Sequence, residues 1–134
     1  MSKKELDIKY GLEKETELKP IIENYFNTGK LNKSLKYGII DFYNKKFYFE
    51  LKSRRITYLS FTNTIIGKNK IDFIKKLNQQ SYLLFYFIDG LYYIKYDENL
   101  FNQFEIKEEY IIRDGKKENK INVHIPIKYL NKII

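Results

Sequence analysis

The sequence predicts a mixed α/β fold, a central mixed β-sheet flanked by helices. Two amphipathic stretches have helical spacing, and between and after them lie short apolar runs of the length and β-branched or aromatic content of strands. The order is helix, strands, helix, strands, which calls for helices packed on a sheet.

Residues 11–27, "GLEKETELKPIIENYFN", form the first predicted helix. Leu12, Leu18, Ile21, Ile22, Tyr25 and Phe26 recur at helical intervals. Pro20 either kinks this helix or marks its start, and Gly29 is its expected stop. Strands follow at 36–43 and 46–52, around a turn at Asn44-Lys45, with a third expected at Arg55–Phe61. Ile71, Phe73, Ile74 and Leu77 place a second helix over 68–80. The run 82–96 reads as a hairpin turning at Asp89-Gly90, apolar on both faces and therefore central. A last hairpin joins 104–113 to 120–125 through "DGKKEN". Pro126 should end it, and "IKYLNKII" is expected to close as a short helix.

At 134 residues the expectation is one domain spanning 1–134 with a real core, and 13 Tyr and 10 Phe argue for globular order. The absence of Cys excludes disulfides, zinc–thiolate centres and a cysteine nucleophile, and one histidine, His124, excludes a multi-histidine metal site. No apolar run reaches about 18 residues, so no membrane partner is expected. The polar start "MSKKELDIKY" lacks the apolar core of a signal peptide, which predicts an intracellular protein. The net charge of +8 points to an anionic partner. That inference is tempered because 22 of the 25 cationic residues are lysine, and the richness in Lys, Asn, Ile, Tyr and Phe fits an AT-rich genome.

Charge inside the strands is the informative anomaly. In "IIDFYNKKFYFELK", residues 39–52, Asp41, Glu50 and Lys52 interrupt apolar strand sequence. Alternation puts Tyr48, Glu50 and Lys52 on one face and Phe47, Phe49 and Leu51 on the other. A loop of two or four residues sets Asp41 across from Tyr48 on that same face; a loop of three would reverse it. In the first helix, Glu15 falls near 300° when stepped at about 100° per residue from Leu12, inside the apolar arc. A buried carboxylate needs a cation or a proton. Two strand carboxylates and a helix acid suit Mg²⁺, a hard ion with oxygen ligands, and a neighbouring lysine can orient the attacking water. These residue types suit metal-assisted phosphodiester hydrolysis. The competing expectation is a wet strand face in which Asp41 is merely a cross-strand salt-bridge partner. His124 and the tyrosines of 82–96 read as structural, and Lys116, Lys117 and Lys120 as solvated turn residues.

Asp41, eight residues, Glu50, one residue, Lys52, preceded by "GLEKE", resembles the D…E-x-K signature of the PD-(D/E)xK nuclease superfamily, the restriction-endonuclease-like fold. The resemblance covers roughly residues 10–96. It implies an αβββαβ core with an extra C-terminal hairpin. It implies Glu15, Asp41 and Glu50 as Mg²⁺ ligands, with Mn²⁺ as a substitute, the Leu51 carbonyl as a further ligand and Lys52 as the residue assisting the water. It favours Arg54 and Lys70 as DNA contacts. Two departures stand out: Ile40 replaces the proline before Asp41, and the Gln-x-x-x-Tyr helix motif of some members is absent. The chain looks most similar to small nuclease-like proteins of phages and large DNA viruses. The implied activity is a DNA endonuclease. The alternatives are a Holliday-junction resolvase acting as a homodimer on branched DNA, and an inactive DNA-binding module.

Overall fold

A computed structural model describes residues 2–36 and 39–134, without the side chains of residues 4, 7–16, 35, 36 and 39. The sequence Ser2-Lys3-Lys4-Glu5 starts α1 (Lys3–Phe26), eight residues before the predicted start. The Ser2 hydroxyl accepts the Glu5 N–H at 3.1 Å, one half of a capping box. Pro20 lies inside α1 without ending it, although it withholds one helical donor. The helix stops at Asn27, φ 52, a left-handed position that asparagine tolerates; the expected stop at Gly29 falls two residues later. Leu18 and Ile22, one turn apart, are fully buried. Glu23 then secures the chain's return by accepting the Leu31 N–H at 2.7 Å.

The stretch expected as one strand over 36–43 is two, β1 (Asn32–Lys36) and β2 (Ile39–Tyr43), paired antiparallel. Strand β2 returns into β3 (Phe47–Ser53) through a two-residue loop, Lys45-Lys46. Asn44 builds this loop. Its N–H donates to the Phe47 carbonyl at 2.9 Å, and its Oδ1 accepts the Lys46 and Phe47 N–H groups, each at 2.9 Å. The resulting register sets Asp41 across from Glu50, not from Tyr48, whose partner is Tyr43. The shared face survives, because a slip of two residues preserves it.

The expected third strand at Arg55–Phe61 is absent. That segment holds a short 3₁₀ turn at Tyr58–Ser60, and the strand comes later as β4 (Asn63–Gly67). The helix α2 (Lys68–Lys75) is shorter than 68–80, because Gln80 already opens β5 (Gln80–Phe87). Strand β5 pairs parallel to β3, the geometry that requires a crossover, here β4 and α2. The hairpin partner β6 (Gly90–Lys95) follows, then the short α3 (Glu98–Phe101). Strands β7 (Glu105–Arg113) and β8 (Lys116–Pro126) turn at Asp114-Gly115, with φ 55 and 75, the positive pair of a type I′ hairpin. Pro126 ends β8 as expected. The terminal segment is a 3₁₀ turn at Ile127–Tyr129 and β9 (Asn131–Lys132), not a helix, and β9 pairs with β6.

The main sheet runs β1-β2-β3-β5-β6-β9 and the second β4-β8-β7. The molecule is thus a mixed α/β fold with a central mixed sheet flanked by helices. With β4 set aside, its leading elements run α-β-β-β-α-β. Leu18 and Ile22 of α1 cover one face with Ile40, Phe42, Phe49 and Leu51. Ile71 and Ile74 of α2 and Val123 and Ile125 of β8 cover the other, with Tyr48, Leu83 and Phe85. Among the described residues, no helix is long and apolar enough to cross a membrane.

Candidate metal centre beside a basic cleft

Alternation along β3 sends Glu50 and Lys52 to the α2 side of the sheet, and the Asn44 turn brings Asp41 beside them. Glu50 is 0% exposed, in the middle of a hydrophobic layer. Asp41 Oδ1 and both Glu50 carboxylate oxygens are buried without a hydrogen-bond partner. Burial raises the Asp41 carboxyl above the usual range; a hydrogen bond from Tyr48, then Lys70 and Lys52, oppose the rise. Burial also raises Glu50, against the pull of Lys52 and Lys70 and with the help of Asp41. Lys52 is pushed down, first by burial; Glu50 opposes this, and Arg54, Lys70 and Lys120 add to it. Burial, Asp41 and Glu50 together push the Tyr48 hydroxyl up.

Buried carboxylate oxygens that accept no hydrogen bond are costly, and two such groups on neighbouring strands fit a hard divalent cation. Lys70, in the first turn of α2, supplies the nearest positive charge, with Nζ 3.4 Å from Glu50 Oε1. The contact is an ion pair that lacks hydrogen-bond alignment. Among the described residues no group of three His, Cys, Asp or Glu side chains gathers around a possible ion. Glu15 lies in α1, and its side chain is outside the described residues. Leu51 lines the adjoining cleft while its side chain packs in the α1-side layer.

That cleft has a volume of about 1190 Å³ and is walled by both sheets and α2. Lys52, Arg54 and Arg55 enter it from the end of β3, and Lys68 and Lys70 from α2. Arg113 and Lys120 enter from the β7–β8 hairpin, and Lys3 from the start of α1, whose N–H donates to Asp114 at 3.1 Å. The acids on its wall are Asp72 and Glu118. Each is paired with a cleft lysine, Lys68 at 2.9 Å and Lys120 at 3.8 Å. The Arg54 guanidinium is braced by the Ile65 carbonyl at 2.6 Å. The balance among these lining side chains is strongly positive.

The structure therefore brings Asp41, Glu50, Lys52, Arg54 and Lys70 to one place and leaves Glu15 undescribed. The sequence sets Tyr48 across from Asp41 but assigns it no hydrogen bond to that carboxylate, and it reads Lys120 as a solvated turn residue. Counting outward from Asp114-Gly115 would have put Lys120 and Asn122 on one face of β8. What that face meets depends on the pairing of β8 with β4. His124 is a strand residue held by Glu109 Oε1 at 2.7 Å, in keeping with a structural role.

No family model matches the chain, and no curated protein and no solved structure matches it.

Proposed function

We propose that this chain is a metal-dependent deoxyribonuclease, an endonuclease. The observation that carries the reading is the cross-strand pair Asp41 and Glu50, with three buried oxygens that accept no hydrogen bond, behind a cationic cleft that their neighbours Leu51, Lys52 and Lys70 line. Asp41 and Glu50 are the side chains that would hold Mg²⁺ or Mn²⁺; Glu15 and the Leu51 carbonyl are assigned by resemblance. When bound, such an ion polarises the phosphodiester and lowers the pKa of a coordinated water. Lys52, held two residues from Glu50 on the same face, is placed to orient the attacking water and to offset charge on the phosphorus. Tyr48, on the same face, favours the ionised Asp41 carboxylate against the effect of burial. Arg54, Arg55, Lys70, Arg113 and Lys120 serve the DNA backbone, arginine by forked contacts.

The test is incubation with plasmid, hairpin and branched DNA in Mg²⁺, Mn²⁺ or EDTA. Metal-dependent cutting is expected, lost in Lys52→Met with metal binding retained. No cutting of any substrate, with a melting temperature unmoved by metal, sinks the proposal.

A junction resolvase of the same chemistry is favoured by one observation. Strand β7 is an open sheet edge, and Ile106, Tyr110 and Ile112 stand exposed along one of its faces. A second copy on that edge would supply the paired active sites that symmetric junction cleavage needs. Light scattering that finds a monomer at working concentration removes this reading and leaves the endonuclease.

A further inference from the structure

We propose that Lys70 is a resident counter-ion: its ammonium holds Glu50 in the metal-free protein, yields to the divalent ion, and turns into the cleft to meet a backbone phosphate. The inference rests on the metal reading above and assigns Lys70 a role beyond simple DNA contact.

The geometry separates the two ends of the pair. Glu50 is fixed, fully buried in β3. Lys70 is 26% exposed, stands at the third residue of α2 and lines the cleft. Its long flexible stem carries a compact, strongly hydrated charge, so the head can leave Glu50 for water without moving the helix. Lys68, two residues before it and also lining the cleft, is committed to Asp72 at 2.9 Å and 3.1 Å. Lys70 has the contact with Glu50; Lys68 does not.

Charge makes the exchange necessary. Asp41 and Glu50 balance Lys52 and Lys70 in the metal-free protein. A divalent ion added to all four leaves two uncompensated positive charges in a poorly solvated site, where like charges repel strongly. Departure of Lys70 halves that excess, and one scissile phosphate removes the rest. The lysine then stands in the cleft beside the arriving backbone, near the N-terminal end of α2. Metal and nucleic acid are thereby linked: the ion frees a phosphate-binding group.

Calorimetric titration with Ca²⁺ alone tests the first half. Lys70→Met, which removes the charge and keeps most of the stem, should bind Ca²⁺ about tenfold or more tightly than wild type. Lys70→Arg should stay near wild type, and Lys70→Gln should repeat the Met result if Met disturbs folding. A neutral variant that binds no tighter than wild type overturns the proposal. The second half is read from the salt dependence of duplex binding, in Ca²⁺ against EDTA. Adding Ca²⁺ should steepen the wild-type slope by about one phosphate contact more than it steepens that of Lys70→Met. Equal changes overturn the hand-over. Absence of Ca²⁺ and Mn²⁺ binding in every protein overturns the metal reading itself; binding of equal strength in all of them overturns only the role of Lys70.

Discussion

Asp41 stands directly across from Glu50 on adjacent antiparallel strands, so two carboxylates share one buried face. Without metal this arrangement opposes folding. Asp41→Asn keeps the shape and an acceptor for Tyr48 while removing one charge. In EDTA it should raise stability by about 1 kcal/mol, roughly 3 °C. In Mg²⁺ it should lower cutting by about a hundredfold or more. Thermal melts and plasmid nicking check both, and a variant that melts lower in EDTA contradicts the argument.

Acidity gives a second expectation. Both carboxyls have raised folded-state pKa values, so their stabilising contribution is full below the ordinary carboxylate range, about 4, and is lost as pH rises through the raised values. Lys52 is depressed: its contribution is full above about 10.4 and is lost as pH falls through the lowered value. Metal binds the deprotonated carboxylates, so the gain in melting temperature on adding Mg²⁺ should grow with pH across the carboxylate window. Melts with and without Mg²⁺ over about pH 4 to 8 measure it; a gain that shrinks as pH rises counts against the site.

How much of this site was legible in the sequence follows from what each step needed. The common face of Asp41, Glu50 and Lys52 needed only alternation within strands, which survives a two-residue error in register. The register itself needed Asn44 to act through its side chain, which composition does not reveal. The start of α1 was spelled out by Ser2 and Glu5 and passed over, because residues 3–10 lack a dense apolar stripe. Strand β4 was misplaced for a deeper reason. Its pairing sets Ile65 beside His124, a contact between distant parts of the chain that no local pattern encodes.

The second sheet supplies a third expectation. Arg113 and Lys120 line the same cleft as Lys52 and Lys70, on a hairpin whose sequence reads as ordinary solvated turn. The double change Arg113→Gln and Lys120→Gln should weaken duplex binding and flatten its logarithmic salt slope by about one to two units. Folding and metal affinity should stay close to wild type. An unchanged slope, measured by fluorescence anisotropy across a salt series, places the nucleic acid elsewhere.

Asn44 carries a fourth. Besides its two turn bonds, its Nδ2 donates to the Thr28 carbonyl at 3.0 Å, tying the loop after α1 to the β2–β3 hairpin. Asn44→Ala removes these and a longer Nδ2 bond to the Lys30 carbonyl at 3.5 Å, and should cost about 2 kcal/mol by chemical denaturation. Because this turn sets Asp41 opposite Glu50, metal affinity should fall as well. Loss of stability with metal affinity intact would show that the strands hold their register without the turn.

Strand β4 ends at Gly67 and α2 begins at Lys68, with no connecting segment to take up slack. Since β4 is bonded along its length to β8, the long hairpin and the helix behave as one lever. A force that bends the hairpin would therefore be passed to the first helical turn, where Lys68 and Lys70 stand, with no slack segment to absorb it.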